Sequence, residues 1–252
     1  WKKIHEMKGN QCDFITMYPS KQKFDNGICL NLPWISTDFG YISLRNKYYK
    51  LSRGPLGDQQ TINGSIYNNN NILEAIYFPL RDMLWSRKIE KAIRKHGLLD
   101  YDYYHFEWGM DFYRSCSFAE KINSMGKPII ASYHGQDIRT RGIFRKMDRV
   151  ADANITSEID LLAIYDKLTH LSLPYDVNQH THSTGMNDTI KICHAPTNRY
   201  YKGSDIIIPA CEKLAINNKH VEFIVMENMS YDDVINIKKT CDIIVDQVDD
   251  RG

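Results

Sequence analysis

The sequence has no run of apolar residues approaching the ~18 that a membrane-spanning helix requires, so none of its segments reads as a bilayer crossing. Charge of one sign is also missing. The chain carries 32 Lys and Arg against 31 Asp and Glu, a formal net charge of +1, so no global field points to nucleic acid or to an acidic membrane surface. Cysteine is present but unpatterned: Cys12, Cys29, Cys116, Cys193, Cys211 and Cys241 are widely spaced, form no CxxC pair and have no histidine at metal-ligand spacing. Most lie in apolar runs, where a thiol behaves as a small hydrophobe. Reduced thiols in a cytoplasmic protein are therefore expected, rather than a disulfide framework or a zinc site. The Asn-x-Ser/Thr triplets at Asn63, Asn154, Asn187 and Asn228 carry no weight without a secretory signal. What is present, 42% hydrophobic and 25% charged residues over 252 positions, places the chain with globular proteins of one or two domains. It starts at Trp1 inside what reads as a helix tail and stops just past a strand-like segment, so both ends are expected to be cut.

Trp1–Met7 reads as that helix tail, closed by Gly9, and Cys12–Met17 as a buried strand. The next ~50 residues, rich in Gly, Pro, Asn and Tyr and including the Asn68–Asn71 run, predict hairpins or a functional loop, since a structureless connection of that length is unusual in a compact domain. Ile72–His96 predicts one or two helices with Trp85, Ile89, Ala92 and Ile93 on one face, bent or started at Pro79 and ended by Gly97. Strands at Tyr101–Phe106, Pro128–Tyr133 and Ala153–Thr156 then alternate with helices at Cys116–Met125, Arg141–Met147 and Ile159–Leu168. Such alternation implies βαβ units, hence a parallel sheet covered on both faces. The pattern breaks near Leu173–Asp176, and residues 177–188 read as a polar linker. A second series follows: strand Ile190–Cys193, helix Asp205–Leu214, strand Val221–Met226, helix Tyr231–Lys238 and strand Ile243–Val245. Three strands and two helices make half a doubly wound domain. The expected fold class is α/β, with two tandem Rossmann-like domains: residues 1–176, the linker 177–188, and an incomplete second domain over 189–252.

Three places are candidates for chemistry. In Lys191–Ile208 a short apolar run leads into a turn with Arg199 and Lys202, after which Gly203 and Ser204 open a helix. Free backbone N–H groups and the positive helix end, beside two cations, favour a phosphate or diphosphate. An ordinary strand–turn–helix with solvated charges is the alternative. His134 follows the apolar strand Pro128–Tyr133 at the carboxyl end, where α/β sheets collect ligands, and Gly135 permits close backbone approach. Its imidazole can donate or accept at neutral pH, or it is simply a strand-end histidine satisfied by backbone. Asp137 and Arg139 could bind substrate or pair with each other, with Arg139 the more structural of the two. His105 and Glu107, at another strand end, could do acid–base work, but aromatic packing with its polar tips satisfied is the stronger account of that stretch and of Tyr101, Tyr103 and Tyr104. His180, His182 and His194 show no metal-ligand spacing.

Five segments occur in a telling order: Cys12-Asp-Phe-Ile-Thr-Met-Tyr18; Gly126-Lys-Pro-Ile-Ile-Ala-Ser-Tyr-His-Gly-Gln-Asp-Ile-Arg139; Asp152-Ala-Asn-Ile-Thr-Ser157 with Leu171–Val177; His194-Ala-Pro-Thr-Asn-Arg-Tyr-Tyr-Lys-Gly203; and Cys241-Asp-Ile-Ile-Val-Asp-Gln247. Together they resemble the retaining, nucleotide-sugar-dependent glycosyltransferases of the GT-B fold (group 1, family 4-like). In that comparison they stand for the second strand of the first domain, its "PVV…HG.D.R" strand and loop, its end, the diphosphate-binding turn, and the strand before the Gly-rich donor loop. The resemblance covers most of the chain after Tyr101. It departs at Pro196-Thr197, where the family has Gly-Arg, and at Pro209, inside the following helix.

The resemblance implies a hexosyltransferase-like enzyme that moves a sugar from a nucleotide-diphosphate donor to a sugar, glycan or glycolipid acceptor, with retention. It implies no metal and no cofactor beyond the donor substrate, no nucleic-acid partner, and a cytoplasmic location with membrane contact at most peripheral. On this comparison His134 is catalytic and lies near the donor sugar in an interdomain cleft. Arg199, Lys202, Gly203 and Ser204 hold the donor diphosphate as negative charge develops on it, and His105, Glu107, Gly135 and Asp137 are cleft or acceptor residues. The family's glutamate pair would fall after Gly252, and its first strand and glycine-rich loop before Trp1, so residues 1–252 alone are expected to be inactive. Two alternatives stand beside it: a GT-B nucleotide-sugar epimerase, and a non-catalytic two-lobed α/β protein that closes on a small ligand.

Overall fold

The computed structural model describes residues 2–19, 27–33, 66–67, 72–173 and 188–248. Trp1, the Asn68–Asn71 run, most of the stretch predicted to hold hairpins, and linker positions 177–187 with His180 and His182 lie outside the described residues. Those described up to 173 belong to one compact unit and those from 188 onward to a second.

The first unit opens with a short helix, Lys2–Met7 (α1), and a two-stranded parallel pair, Ile15–Thr16 (β1) with Ile28–Cys29 (β2). Ile72–Lys95 is one continuous helix (α2), with Pro79 inside it rather than at its start. Trp85, Ile89 and Ala92 fall on its buried face, as the 3.6-residue period requires. The Trp85 Nε1–H donates to the Pro33 carbonyl at 2.8 Å and Lys88 Nζ to the Asn31 carbonyl at 2.9 Å, which ties α2 to the segment after β2. Gly97, at φ +60°, lets the Leu98 N–H reach back to the Ile93 carbonyl at 3.0 Å and close the helix.

Four parallel strands follow, Tyr104–Glu107 (β3), Ile129–Tyr133 (β4), Ala153–Thr156 (β5) and Leu168–His170 (β6), paired in that order. Ser117–Ser124 (α3) leads from β3 to β4, and Gly135–Thr140 (α4) and Arg145–Val150 (α5) lead from β4 to β5. Strand β4 has a partner on each edge, and its Ile129, Ala131 and Tyr133 are fully buried in a core shared with Phe118 and Ile122 of α3 and Met147 of α5. Cys116, at the start of α3, has a left-handed backbone and no capping bond of its own. Asp111 caps from a distance: its carboxylate accepts the Ala119 N–H at 2.7 Å and the Tyr113 N–H at 2.6 Å.

Two predicted helices fall elsewhere. The one expected at Arg141–Met147 is α5, starting four residues later, and α4 precedes it where the sequence pattern predicts no helix; Gly142, at φ +84°, separates the two. The helix expected over Ile159–Leu168 is a 3₁₀ turn at Ile159–Ala163 followed by β6. Asp148 explains the break, because it accepts from Tyr165 Oη at 2.5 Å and from Lys167 Nζ at 2.8 Å and so pins the chain as it enters β6.

In the second unit Ile190–His194 (β7), Val221–Val225 (β8) and Ile243–Val245 (β9) form a parallel sheet in the order β8-β7-β9. Arg199–Lys202 (α6) and Ser204–Asn217 (α7) follow β7, and Tyr231–Lys238 (α8) follows β8. Strand β7 is central, which is why Ile192, Cys193 and His194 are buried. Pro209 lies within α7, and the helix runs on past it. Ser230 caps α8 by accepting the Asp233 N–H at 3.2 Å. The protein is thus α/β, with parallel sheets and flanking helices compatible with a Rossmann-like fold. Among the described residues no helix is long and apolar enough to cross a membrane.

Candidate functional site

Parallel register sets Tyr104 opposite Ile129 and Glu107 opposite Ser132, so β3 and β4 end together. At that end His134 Nε2 lies 2.8 Å from Glu107 Oε2, and His105 Nε2 bonds Ser132 Oγ while standing 3.8 Å from Glu107 Oε1. The Trp108 ring packs against His134 with centroids 5.8 Å apart. Trp108 is not among the residues that the sequence pattern singles out. Its one signal is a Trp-Gly pair closing an apolar strand, and it emerges half-exposed with a left-handed backbone, φ +64°, followed by Gly109 at φ +54°. That conformation costs a non-glycine residue roughly 1–2 kcal/mol and persists only where the surroundings over-determine it. A shallow cleft with room for about one water molecule lies beside His134, lined also by Ser132, Thr156, Ser157, Leu171 and Leu173.

Burial alone pushes the Glu107 carboxyl up, but the hydrogen bond from His134 and the charges of His105 and His134 outweigh it, and the net shift is downward. The bond to Glu107 raises His134 despite partial burial, whereas His105 is lowered, chiefly by desolvation. The two histidines therefore diverge: one is held toward its charged form and the other toward its neutral form.

Glu107→Gln tests this pair. His134 has a folded pKa above its ordinary 6.5, so its contribution is complete below 6.5 and is lost as pH rises through the raised value. Glu107 has a folded pKa below 4.5, so its contribution is present above 4.5 and is lost as pH falls through the lowered value. The variant should flatten both flanks in denaturant titrations across pH. A pH profile identical to that of the parent protein would show that the two side chains are not coupled in solution.

The start of α4 is filled by the chain's own groups. Asp137 is buried; its Oδ2 accepts the His134 N–H at 2.9 Å and its Oδ1 the Ile138 N–H at 2.7 Å, while burial raises its pKa. The Glu158 carboxylate accepts the Gly135 N–H at 2.8 Å and pairs with Arg139 at 2.8 Å. A Cβ on Gly135 would lie 1.7 Å from Arg139 Nη1 and 2.5 Å from Glu158 Oε2, so this glycine makes room for an internal ion pair. Arg139 pairs with Glu158 and Asp160, not with Asp137. Gly135 and Asp137 thus fix the backbone that presents His134.

The turn after β7 is built on a buried histidine. His194 is fully buried, with Nδ1 2.8 Å from the Val245 carbonyl and Nε2 2.8 Å from Ser204 Oγ. A carbonyl only accepts, so Nδ1 carries the proton and Nε2 accepts from the Ser204 hydroxyl. Spacing alone groups His194 with the linker histidines, whereas the structure makes it the joint between β7, β9 and α7. Gly203 adopts φ +63° and its N–H donates to the Tyr200 carbonyl at 3.2 Å. Lys202 Nζ sits 2.7 Å from Asp246 Oδ2 and 3.1 Å from Gln247 Oε1, and Arg199 forms a two-pronged pair with Glu227 at 2.6 and 2.7 Å. Arg199, Lys202, Gly203 and Ser204 are therefore brought together, with each cation oriented by a carboxylate.

Among the described residues no group of three or more His, Cys, Asp or Glu side chains is placed to hold a metal ion. Comparison with protein-family models finds no match, and none is found among curated proteins.

Proposed function

We propose that the protein is a nucleotide-sugar-dependent glycosyltransferase in which the Glu107–His134 pair does the acid–base work and the Arg199–Lys202 turn holds the donor diphosphate. The observation that carries this reading is the 2.8 Å bond between His134 and Glu107 at the carboxyl end of a parallel sheet. Sugar transfer breaks the anomeric C–O bond and forms a new one to an acceptor hydroxyl. Negative charge builds on the leaving diphosphate and a proton leaves the acceptor. Preorganised cations meet the first need. Lys202 acts as a point charge and Arg199 as a fork, each turning from its carboxylate partner toward the donor. A histidine steered by a carboxylate meets the second need. The finer fold reading, two tandem Rossmann-like domains of GT-B type with the second over 189–252, belongs to this proposal, as do a cytoplasmic setting and a sugar, glycan or glycolipid acceptor.

The test is calorimetric titration of the chain with a panel of nucleoside diphosphates. One base should bind saturably, and Lys202→Ala should weaken that binding about tenfold, or 1.4 kcal/mol, with the circular dichroism spectrum unchanged. If no nucleoside diphosphate binds, or if binding ignores Lys202, the reading is wrong.

A further inference from the structure

We infer that Arg114 and Arg141 of the first unit form a binding site for the phosphate group of a soluble small molecule, because the fold brings both guanidinium groups to one methionine sulfur and, among the described residues, gives neither a carboxylate. Nη1 of Arg114 and Nη1 of Arg141 each lie 3.9 Å from Met110 Sδ. Thioether sulfur is a weak acceptor and carries no charge to offset two cations. The other acceptors offered to Arg141 are neutral carbonyls, those of Trp108 and, at 3.3 Å, Gly142. Arg114 Nε is buried with no partner among the described residues, and so is the nearby Tyr67 hydroxyl.

Aromatic faces hold the two planes in place. Both guanidiniums stack on Phe144, at 4.7 Å and 4.6 Å, and Arg114 also covers Phe78 at 4.2 Å and Tyr67 at 4.7 Å. Such stacking fixes orientation without removing charge. Among the described residues the neighbouring acids make no ion pair with either guanidinium. Both Asp137 oxygens accept backbone N–H groups of His134 and Ile138. Asp82 pairs with Arg81 at 2.7 Å and accepts only the backbone N–H of Arg114. Burial, reinforced by the charge of Arg114 and only partly offset by the charge of Asp137, lowers Arg141 to about 10.

Two preoriented guanidiniums, one with an unpartnered Nε–H and both bonded only to neutral acceptors, match the oxygens of a phosphate, which would restore neutrality there. Arg141 caps α4, whose first residue follows His134, and Arg114 lies in the loop leaving β3. Arg141 thus stands at the end of α4 away from His134, and its link to the Glu107–His134 pair is Trp108, whose carbonyl accepts from Arg141 and whose ring packs on His134. The inference stands on the first unit alone; on the sugar-transfer reading the phosphate would belong to the acceptor.

The test titrates the chain with inorganic phosphate and with a hexose monophosphate at low ionic strength, in the Lys202→Ala background that removes the main cation of the second unit's turn. Saturable binding should survive Lys202→Ala and weaken at least about tenfold with Arg141→Met. Arg114→Lys, which keeps the charge but not the fork, should weaken it less. In the parent protein the Nε–H resonances of Arg114 and Arg141 should shift with phosphate, a readout that needs no variant to fold. Binding lost with Lys202→Ala, binding indifferent to Arg141, or stationary Nε–H resonances would each overturn the inference.

Discussion

Gly109→Ala should destabilise the protein by about 2–4 kcal/mol, the sum of a left-handed backbone cost near 1 kcal/mol and an overpacking cost of about 1–3 kcal/mol. Gly109 has φ +54°, and a Cβ there would lie 2.1 Å from Tyr133 Cε1, 2.5 Å from Cζ and 2.8 Å from Oη. Tyr133 cannot step aside, because it is fully buried on β4 between β3 and β5. Nor can the backbone of residue 109 move freely, since its N–H donates to the Ser132 carbonyl at 2.9 Å and extends the β3–β4 ladder. Gly126 is the internal control. It also has positive φ, at +71°, but nothing lies within 4 Å of where its Cβ would stand, so Gly126→Ala should cost only the backbone contribution of about 1 kcal/mol. Denaturant midpoints of the two variants separate the contributions. Equal losses would mean that Tyr133 does not press on Gly109 in solution.

The same loop shows which features are legible in the sequence and which are not. The inner face of α2 is legible because Trp85, Ile89 and Ala92 recur at helical spacing and nothing else explains that recurrence. Strands β5 and β9 are legible with their boundaries, as short apolar runs between turn residues. Helix α4 is not, because its six residues are too few for a period to show and its start depends on Glu158, far along the chain. Candidate residues at strand ends can be named from the sequence, since strand ends are visible in it. Their pairing cannot. That His134 meets Glu107, while His105 meets Ser132, follows from the β3–β4 register and from the left-handed turn at Trp108–Gly109, and neither is encoded locally. Charge partners are likewise invisible: Lys202 with Asp246 and Arg199 with Glu227 span 44 and 28 residues.

His194→Leu should cost about 3 kcal/mol, although the substitution adds an apolar side chain to a buried site. The two ring nitrogens are spent on different elements, Nδ1–H on the Val245 carbonyl of β9 and Nε2 on the Ser204 hydroxyl of α7. Leucine fills much of the volume but leaves that carbonyl and that hydroxyl without partners. Each orphaned buried group costs roughly 1–3 kcal/mol, more than the bond itself contributed. Ser204, only 1% exposed, cannot turn to water. Ser204→Ala should cost less, about 1 kcal/mol, because it leaves a single acceptor nitrogen unsatisfied. The double variant should lose less than the two single losses added together, since one bond is shared between them. The loss should also reach function: Ser204 begins α7 directly after Lys202 and Gly203, so loosening His194 frees the turn that holds the donor-binding cations on the proposed reading. Urea titrations of the three variants give the coupling. Full additivity would show that His194 and Ser204 act separately and that the turn is fixed by its ion pairs instead.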